Sequence, residues 1–321
     1  MGDKPGEKPP SFFSNPAFDH AVAGLGAGVV AVLCMHPLDL LKVKFQVANK
    51  NPTGSVGTAI WSSMKEIKKT QGWRGLYRGV GPNIAGNASS WGLYFLFYNM
   101  LKSRIAGGDS SKISAGQYLL YSAEASAVTA IMTNPIWVVK VRMFTTRPED
   151  PTAYRSLWHG FSSIYRTEGI KGLYRGTTLA LFGVSNGAIQ FMAYEEMKQW
   201  GFQRKRRRFA DEGREWTPAD DKLSNTSYTV MSGASKLFAL TLTYPYQVVR
   251  SRIQNNATAH LYPTIPACIK RTWVEEGTRG FYRGLGTNLV RVLPGTCVTF
   301  VVYENLAWLL RTASIRRDSA D

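Results

Sequence analysis

The feature that most constrains this 321-residue chain is a two-part motif that occurs three times. Its first part reads Pro-x-x-x-x-basic-x-basic and begins at Pro37, Pro135 and Pro245, which are 98 and 110 residues apart. Its second part is aromatic-basic-Gly and ends at three glycines spaced by 97 and 108 residues, namely Gly79, Gly176 and Gly284. Two independent motifs with nearly equal offsets indicate three copies of one structural unit.

Each copy predicts a hairpin of two apolar helices joined by a loop that contains a short helix. A proline inside the first helix of each hairpin removes a backbone hydrogen bond and is expected to kink it. We therefore predict an all-α membrane protein of six transmembrane helices in three pseudo-threefold repeats, with kinked odd-numbered helices and short helices between them. The expected units are an N-terminal tail (1–17), three repeats (18–107, 112–201 and 222–311), a charged, solvated inter-repeat loop (202–221) and a C-terminal tail (312–321).

Uncharged segments support the membrane class, although the mean hydropathy of −0.17 is that of a soluble protein. Segments 83–101 and 177–194 contain 19 and 18 uncharged residues, close to the ~20 that span a bilayer. Segment 292–303 is shorter, with Arg291 just before it. Their Gly, Ser and Asn content favours helices packed around a wet interior. The alternative is a set of buried helices in a soluble protein.

The charge balance indicates an anionic partner, because 39 Lys and Arg stand against 22 Asp and Glu. A nucleic acid is disfavoured, since the most basic run lies between two predicted spans. That run is expected to contact phosphate or lipid headgroups. Three widely spaced cysteines and four histidines give neither a metal site nor a catalytic grouping, so we expect no enzyme, no metal and no cofactor. The N-terminal residues have neither an apolar core nor arginine, so we expect no secretory signal and no ordinary presequence.

In these motifs the chain resembles the mitochondrial carrier family, whose pattern is P-x-[DE]-x-x-[KR]-x-[KR] followed by [DE]-G and aromatic-[KR]-G. Here Trp137 and Gln247 replace two of the three motif acids, and Gln71 replaces the acid of the first [DE]-G. The resemblance implies a monomeric, multi-pass transporter of the mitochondrial inner membrane, or of the peroxisomal membrane, that works by alternating access. It also implies bound cardiolipin at the short-helix motifs, at Gly72, Arg78, Gly79, Gly169, Arg175, Gly176, Gly277, Arg283 and Gly284.

Two gates follow from the resemblance. The matrix gate is expected at Asp39, Lys42, Gln46, Lys140, Gln247, Arg250 and Gln254, with Asp39 paired to Lys140. Gln247 would give only a neutral hydrogen bond, and Trp137 a cation–π contact with a base. The cytoplasmic gate is expected at Asn99, Lys102, Glu195, Lys198 and Glu304. Glu304 would pair with Lys102, Asn99 would make a weaker contact with Lys198, and Glu195 would lack a cation. Both gates are therefore predicted to be weak.

The family's central contact positions map to Asn87, Phe182, Gly183 and Arg291. Gly183 would leave room for a flat ring on which Phe182 or Trp137 stacks, and Arg291 would hold a phosphate or carboxylate. Lys236 lies on the same helix face as Arg250, so it is expected either to bind substrate or to pair with Glu124.

Tryptophan after Pro-Ile and the segments 90–99, 181–195, 235–254 and 300–305 resemble the folate/FAD carrier-like subgroup. The leading hypothesis is a transporter of FAD or a related flavin. The alternatives are folate (tetrahydrofolate), NAD or a pyrimidine nucleotide as substrate. A different class is a membrane scaffold on a carrier fold that does not transport.

Overall fold

The computed structural model describes residues 12, 16–48, 54–106, 115–147, 149–151, 153–214, 222–255 and 261–318. The regular structure in these residues is helical, as predicted, and no strand occurs among them. The helices are α1 (Pro16–Val47), α2 (Val56–Leu76), α3 (Val80–Ala106), α4 (Ala115–Thr145), α5 (Leu157–Leu173), α6 (Thr177–Phe182), α7 (Ser185–Asp211), α8 (Asn225–Gln254), α9 (Ile265–Gly280) and α10 (Leu285–Asp318).

The long helices form a closed ring of neighbours. The most extensive helix contacts join α1 to α10, α3 to α4, and α7 to α8. Each of these pairs joins the second long helix of one repeat to the first long helix of the next. The three motif prolines lie inside α1, α4 and α8, which continue past them. The ring therefore has three related segments, and the long helices of each one pack most extensively on those of its neighbours.

The short helices α2, α5 and α9 begin in the same way in each repeat. Ser55, Ser156 and Thr264 cap them, because each side-chain oxygen accepts a hydrogen bond from the backbone N–H three residues on. A left-handed glycine interrupts each short helix, with φ of 66°, 66° and 61° at Gly72, Gly169 and Gly277. We call the end of the bundle that carries these three helices the matrix end, following the resemblance, and the opposite end the cytoplasmic end.

Compact apolar packing lies at the matrix end. One cluster joins Leu40 and Leu41 of α1 to Ile67 of α2 and Phe144 of α4. Large apolar side chains on the long helices are exposed instead, among them Phe300, Val301 and Trp308 of α10, which are 60–65% accessible. A surface of this kind suits a hydrocarbon solvent. The described helices that are long and apolar enough to cross a membrane by hydropathy are Ala21–Val47 and Leu285–Ser314.

Two details differ from the expected segments. Segment 292–303, judged short from the sequence, lies in a helix that meets the hydropathy criterion, whereas segments 83–101 and 177–194 lie in helices that do not. Residues 202–211 were expected in a loop but continue α7. Their Gln, Arg and Lys side chains favour helix, and Gly201 packs so closely on Met231 that an added Cβ would lie 2.6 Å from its Cε atom. Likewise α10 continues through the predicted C-terminal tail to Asp318.

A candidate substrate cavity and its gates

Three glycines with left-handed backbone angles mark equivalent starting points of the helices that line the cavity. Gly79, Gly176 and Gly284 have φ of 74°, 76° and 77° and directly precede α3, α6 and α10. The seventh residue after each is Gly86, Gly183 or Arg291. Gly183 and Arg291 line a polar cavity with Asn87, as predicted. The third position, Gly86, packs against the Trp137 ring, because an added Cβ would lie 3.2 Å from its Cη2 atom.

The prediction that Phe182 contacts the substrate is wrong for this structure. Its side chain is 61% exposed and does not line either cavity described here. Counted from the left-handed glycine, Phe182 comes one residue before the position of Gly86 and Arg291, and one residue turns a side chain by ~100° around a helix. The neighbouring Gly183 does not leave an open space for a ring either, since a Cβ there would lie 3.0 Å from the Tyr246 hydroxyl.

The polar cavity has a volume of about 440 Å³ and lies toward the matrix end. Four cationic side chains line it, and the acidic residue among its lining residues is Asp39. The cavity is therefore strongly electropositive, which suits an anion. The lining cations are Lys42, Lys140, Arg250 and Arg291.

The predicted Asp39–Lys140 pair is wrong for this structure. Asp39 instead pairs with Arg291, whose Nη1 atom lies 3.2 Å from Oδ1, and Asn83 donates to the other carboxylate oxygen at 3.2 Å. Lys140 is held elsewhere, because its ammonium group lies 4.6 Å from the centre of the Trp137 ring and 5.3 Å from that of Phe144. The cation–π contact of Trp137 is thus confirmed, and among the described residues Lys140 makes it in place of a direct ion pair with Asp39.

The neutral contact predicted for Gln247 is also present. Lys42 donates to Gln247 Oε1 at 3.2 Å. Arg250, the third base at this level, donates from Nη2 to Asn134 Oδ1 at 3.2 Å. Of the three first bases of the proline motifs, two therefore bind amide oxygens and one binds an indole ring. Hydrogen bonds between a charge and a neutral group are weaker than ion pairs, which agrees with a weak matrix gate.

The two predicted gate glutamines, Gln46 and Gln254, form hydrogen bonds across the boundary between repeats. Gln46 donates to the Tyr244 hydroxyl at 3.1 Å and accepts from Ser251 at 2.8 Å. Gln254 donates to Asn134 Oδ1 at 3.4 Å and to the Arg175 carbonyl at 3.2 Å. Both glutamines therefore tie α8 to a neighbouring repeat.

A wider cavity of about 1110 Å³ continues from the polar one toward the cytoplasmic end. Aromatic and small side chains line it, including Trp91, Tyr94 and Phe191. The two cavities share five lining residues, which are Trp137, Gly183, Asn186, Tyr246 and Arg250. Trp137 and Arg250 thus lie where an electropositive chamber meets an aromatic one.

Sequence reasoning missed Tyr246, Asn134 and Asn186. Asn134 is fully buried and links Arg250 to the carbonyls of Leu173 and Arg175. Asn134 directly precedes the motif proline of repeat 2, and Tyr246 directly follows that of repeat 3. Both positions recur in all three repeats, and this recurrence could have marked them as candidates. Asn186 is not part of a repeated motif.

Lys236 was predicted either to bind substrate or to pair with Glu124. Its side chain is exposed, and it forms no ion pair with Glu124 in the described part of the chain. It lies eleven residues before Gln247, which places the two within ~20° on one helix face. Gln247 lines the polar cavity, but Lys236 lines neither cavity, so substrate binding by Lys236 stays a prediction.

The cytoplasmic end is open in this structure. The predicted Glu304–Lys102 pair is not formed, since Glu304 is exposed and the Lys102 ammonium group lies 5.7 Å from the Tyr118 ring centre. Glu195 does have a cationic partner, contrary to the prediction, because Lys198 one turn away lies 3.2 Å from it. Within the described residues, no contact joins Asn99 to Lys198. The structure therefore combines a closed matrix end with an open cytoplasmic end.

The predicted cardiolipin positions form three similar corners at the matrix end. Each pairs two left-handed glycines with an arginine, such as Gly169 and Gly176 with Arg175. Arg175 and Arg283 donate to backbone carbonyls of the next repeat, those of Tyr262 and Ala48. Cardiolipin itself stays a prediction.

Comparisons with known proteins agree with this architecture. The family model described as mitochondrial carrier protein matches three times, at residues 13–108, 111–205 and 221–314. The chain is 38% identical over 315 residues to a chloroplastic folate transporter of Arabidopsis thaliana, covering 94% of this chain and 98% of that protein. It is 37% identical over 315 residues to a mitochondrial FAD carrier protein of Saccharomyces cerevisiae, covering 91% and 96%. It is 39% identical over 291 residues to a chloroplastic nicotinamide adenine dinucleotide transporter of Arabidopsis thaliana, covering 89% of each. Three matched repeats, three hairpins in a ring and one shared cavity identify this chain as a member of the mitochondrial carrier protein family of transporters.

Proposed function

We propose that the chain transports FAD or a related flavin across the mitochondrial inner membrane by alternating access. The observation that carries this proposal is the position of Trp137 at the junction of the two cavities, with Lys140 on its ring. An anion that bears a flat ring can place its phosphates among the cations and its ring in the aromatic chamber.

The ion pair between Arg291 and Asp39 suggests how binding leads to opening. A substrate phosphate that bonds to Arg291 competes with Asp39 for the same guanidinium group. Release of Asp39 removes the ion pair among the cavity-lining residues that links α1 to α10. The two other cations that make hydrogen bonds in this gate, Lys42 and Arg250, donate them to neutral amide oxygens. Substrate binding therefore destabilises the closed matrix end, which is the differential affinity that alternating access needs.

The relatives support a substrate class rather than one compound. Their names specify folate, FAD and nicotinamide adenine dinucleotide, at 37–39% identity. All three compounds are anions that carry a heteroaromatic ring. Folate is the second candidate, because the folate transporter matches over 94% of this chain.

A ligand panel tests the proposal on the purified protein. We expect FAD to raise the melting temperature most, FMN and NAD to raise it less, and uncharged riboflavin to leave it unchanged, because riboflavin offers nothing to the cations. Differential scanning fluorimetry in detergent measures this order. The control variant is Phe182→Ala, which lies outside the cavity and should keep the full response to FAD. A larger response to tetrahydrofolate would select folate, and a response to riboflavin equal to that of FAD would contradict the charge argument.

A further inference from the structure

The Asp39 carboxylate is held by a second buried group besides Arg291. Asn83 of α3 is fully buried, and its Nδ2 atom donates to Asp39 Oδ2 at 3.2 Å, while Arg291 lies against the other oxygen, Oδ1. The same Nδ2 atom lies 3.2 Å from Nδ1 of His36. At the other end of the amide, Asn83 Oδ1 accepts from Asn87 Nδ2 at 3.1 Å. Both ends of the Asn83 amide are therefore engaged.

The ring of His36 determines the direction of its contact with Asn83. His36 is fully buried, and its Nε2 atom lies 3.0 Å from the carbonyl oxygen of Arg78. A carbonyl oxygen only accepts, so Nε2 carries the ring proton and Nδ1 of the neutral ring is an acceptor. Tyr77 stacks on the ring at 5.8 Å, and Phe144 meets it at a right angle at 5.2 Å, so the ring is fixed in place. His36 Nδ1 therefore accepts the second proton of the Asn83 amide.

This contact leaves the Asn83 amide one favourable orientation. If the amide turned over, its oxygen would face the lone pair of His36 Nδ1 and the Asp39 carboxylate, neither of which donates a hydrogen bond. Its nitrogen would then face Asn87 Nδ2, which is itself a donor, because it also bonds to the Asn83 backbone carbonyl at 2.8 Å. Buried polar groups without partners cost free energy. His36 therefore keeps Asn83 as a donor toward Asp39.

The His36–Asn83 pair occurs in the repeat that keeps the motif acid. His36 directly precedes a motif proline, and Asn83 is the fourth residue after a left-handed glycine. The equivalent residues are Asn134 and Ala180 in repeat 2, and Tyr244 and Asn288 in repeat 3. Asn288 presents the opposite end of its amide, because its Oδ1 atom accepts from Arg291 Nε at 3.4 Å. Two equivalent asparagines thus hold the two members of the Asp39–Arg291 ion pair.

We propose that His36 and Asn83 are positioning residues that set how strongly Asp39 competes with the substrate for Arg291. The inference rests on the proposed function, in which a substrate phosphate takes Arg291 from Asp39. A carboxylate that Asn83 holds is already oriented toward Arg291, so less conformational freedom is lost when the ion pair forms. Without this hold Asp39 turns away more readily, and Arg291 becomes more available to the substrate. The same loss slows transport, because the matrix gate closes again less readily after substrate release.

A double-variant cycle on substrate affinity tests this assignment. Isothermal titration calorimetry measures FAD binding to the purified full chain in detergent. We expect Asn83→Leu to bind FAD about tenfold more tightly than the unaltered protein, since a hydrogen bond to a charged group contributes a factor of this order. Its maximal uptake rate in proteoliposomes should fall. Asp39→Asn should also bind FAD more tightly. Adding Asn83→Leu to Asp39→Asn should then change the affinity by less than about twofold, because no carboxylate is left to position.

Two variants of His36 test the assignment while Asn83 stays in place. His36→Asn puts an amide oxygen near the position of Nδ1, where it accepts from Asn83, and asparagine is the residue of repeat 2 at this position. His36→Gln carries its amide one bond further out, near Nε2, and leaves Asn83 without that acceptor. We expect His36→Gln to bind FAD about as tightly as Asn83→Leu does, and His36→Asn to reverse most of this change.

The outcomes separate this inference from the proposed function. If the unaltered protein binds tetrahydrofolate or NAD instead of FAD, the proposed substrate is wrong, and the same cycle is run with the compound that binds. The ring ¹⁵N chemical shifts of His36, assigned by their loss in His36→Asn, require no substrate and should show a neutral ring with its proton on Nε2. A proton on Nδ1, additive effects of Asn83→Leu and Asp39→Asn, or equal affinities of the two His36 variants would overturn the proposal.

Discussion

Replacing Arg291 by alanine is expected to reduce substrate uptake to background while leaving the protein folded. Arg291 lines the polar cavity, and its side chain is 31% accessible from it. Loss of one partner of a hydrogen-bonded charge pair costs about 2–5 kcal/mol, which corresponds to a loss of roughly 30-fold or more. Initial uptake rates into proteoliposomes and the melting temperature of the variant measure the two halves of this prediction.

A second variant separates substrate binding from the structural pairing with Asp39. Arg291→Ala alone leaves the Asp39 carboxylate without its ion pair. In the double variant Asp39→Asn/Arg291→Ala no such charge remains. If Arg291 only neutralises Asp39, the double variant regains uptake. We expect it to stay inactive, because the substrate phosphate has lost its guanidinium partner. Normal uptake by a well-folded Arg291→Ala protein would contradict the assignment outright.

Trp137 is the second position where a large effect is expected. Trp137→Phe should keep partial uptake, since a phenyl ring still offers a face to Lys140 and to the substrate, although a weaker one. Trp137→Ala should leave little uptake, because it removes the ring and opens space beside Gly86. The KM and maximal rate of each variant in proteoliposomes measure this order. Equal activities of the phenylalanine and alanine variants would favour a purely structural role for the indole.

Motif spacing was enough to predict the helical hairpins, and the family resemblance predicted most of the cavity. Asn87, Gly183, Arg291, Trp137 and Arg250 were assigned through that resemblance, and all five line the polar cavity. The prediction for Phe182 was wrong because the family's contact position was placed one residue too early in this helix. One residue turns a side chain by ~100° around the helix axis. The position of the left-handed Gly176 would have corrected it.

Side-chain pairing was harder to predict than position. Asp39 was assigned to Lys140 by the family pattern, but Arg291 lies within reach of Asp39 and Trp137 attracts Lys140. Such competition depends on distances that a sequence does not contain. The Glu195–Lys198 pair is a different case, since its three-residue spacing on one helix was visible and the open cytoplasmic end removed the alternative partners.

The departures from threefold symmetry are concentrated at two levels of the matrix end. Trp137 and Gln247 weaken the gate at the wall of the polar cavity, and Gln71 replaces a carboxylate in the short helix α2. The first level lies against the substrate and the second does not. We therefore expect changes at Gln71 to alter stability without changing which substrate is carried.

The most direct test of the central claim is uptake of radiolabelled FAD and radiolabelled riboflavin by liposomes that contain the purified protein. The two compounds share the flavin ring, but only FAD carries the phosphates that the cavity cations would bind. Saturable FAD uptake that unlabelled FAD inhibits, with riboflavin uptake at the level of empty liposomes, is the result that the structure predicts. Riboflavin uptake equal to that of FAD, or no uptake of FAD, tetrahydrofolate or NAD by the folded protein, would contradict it.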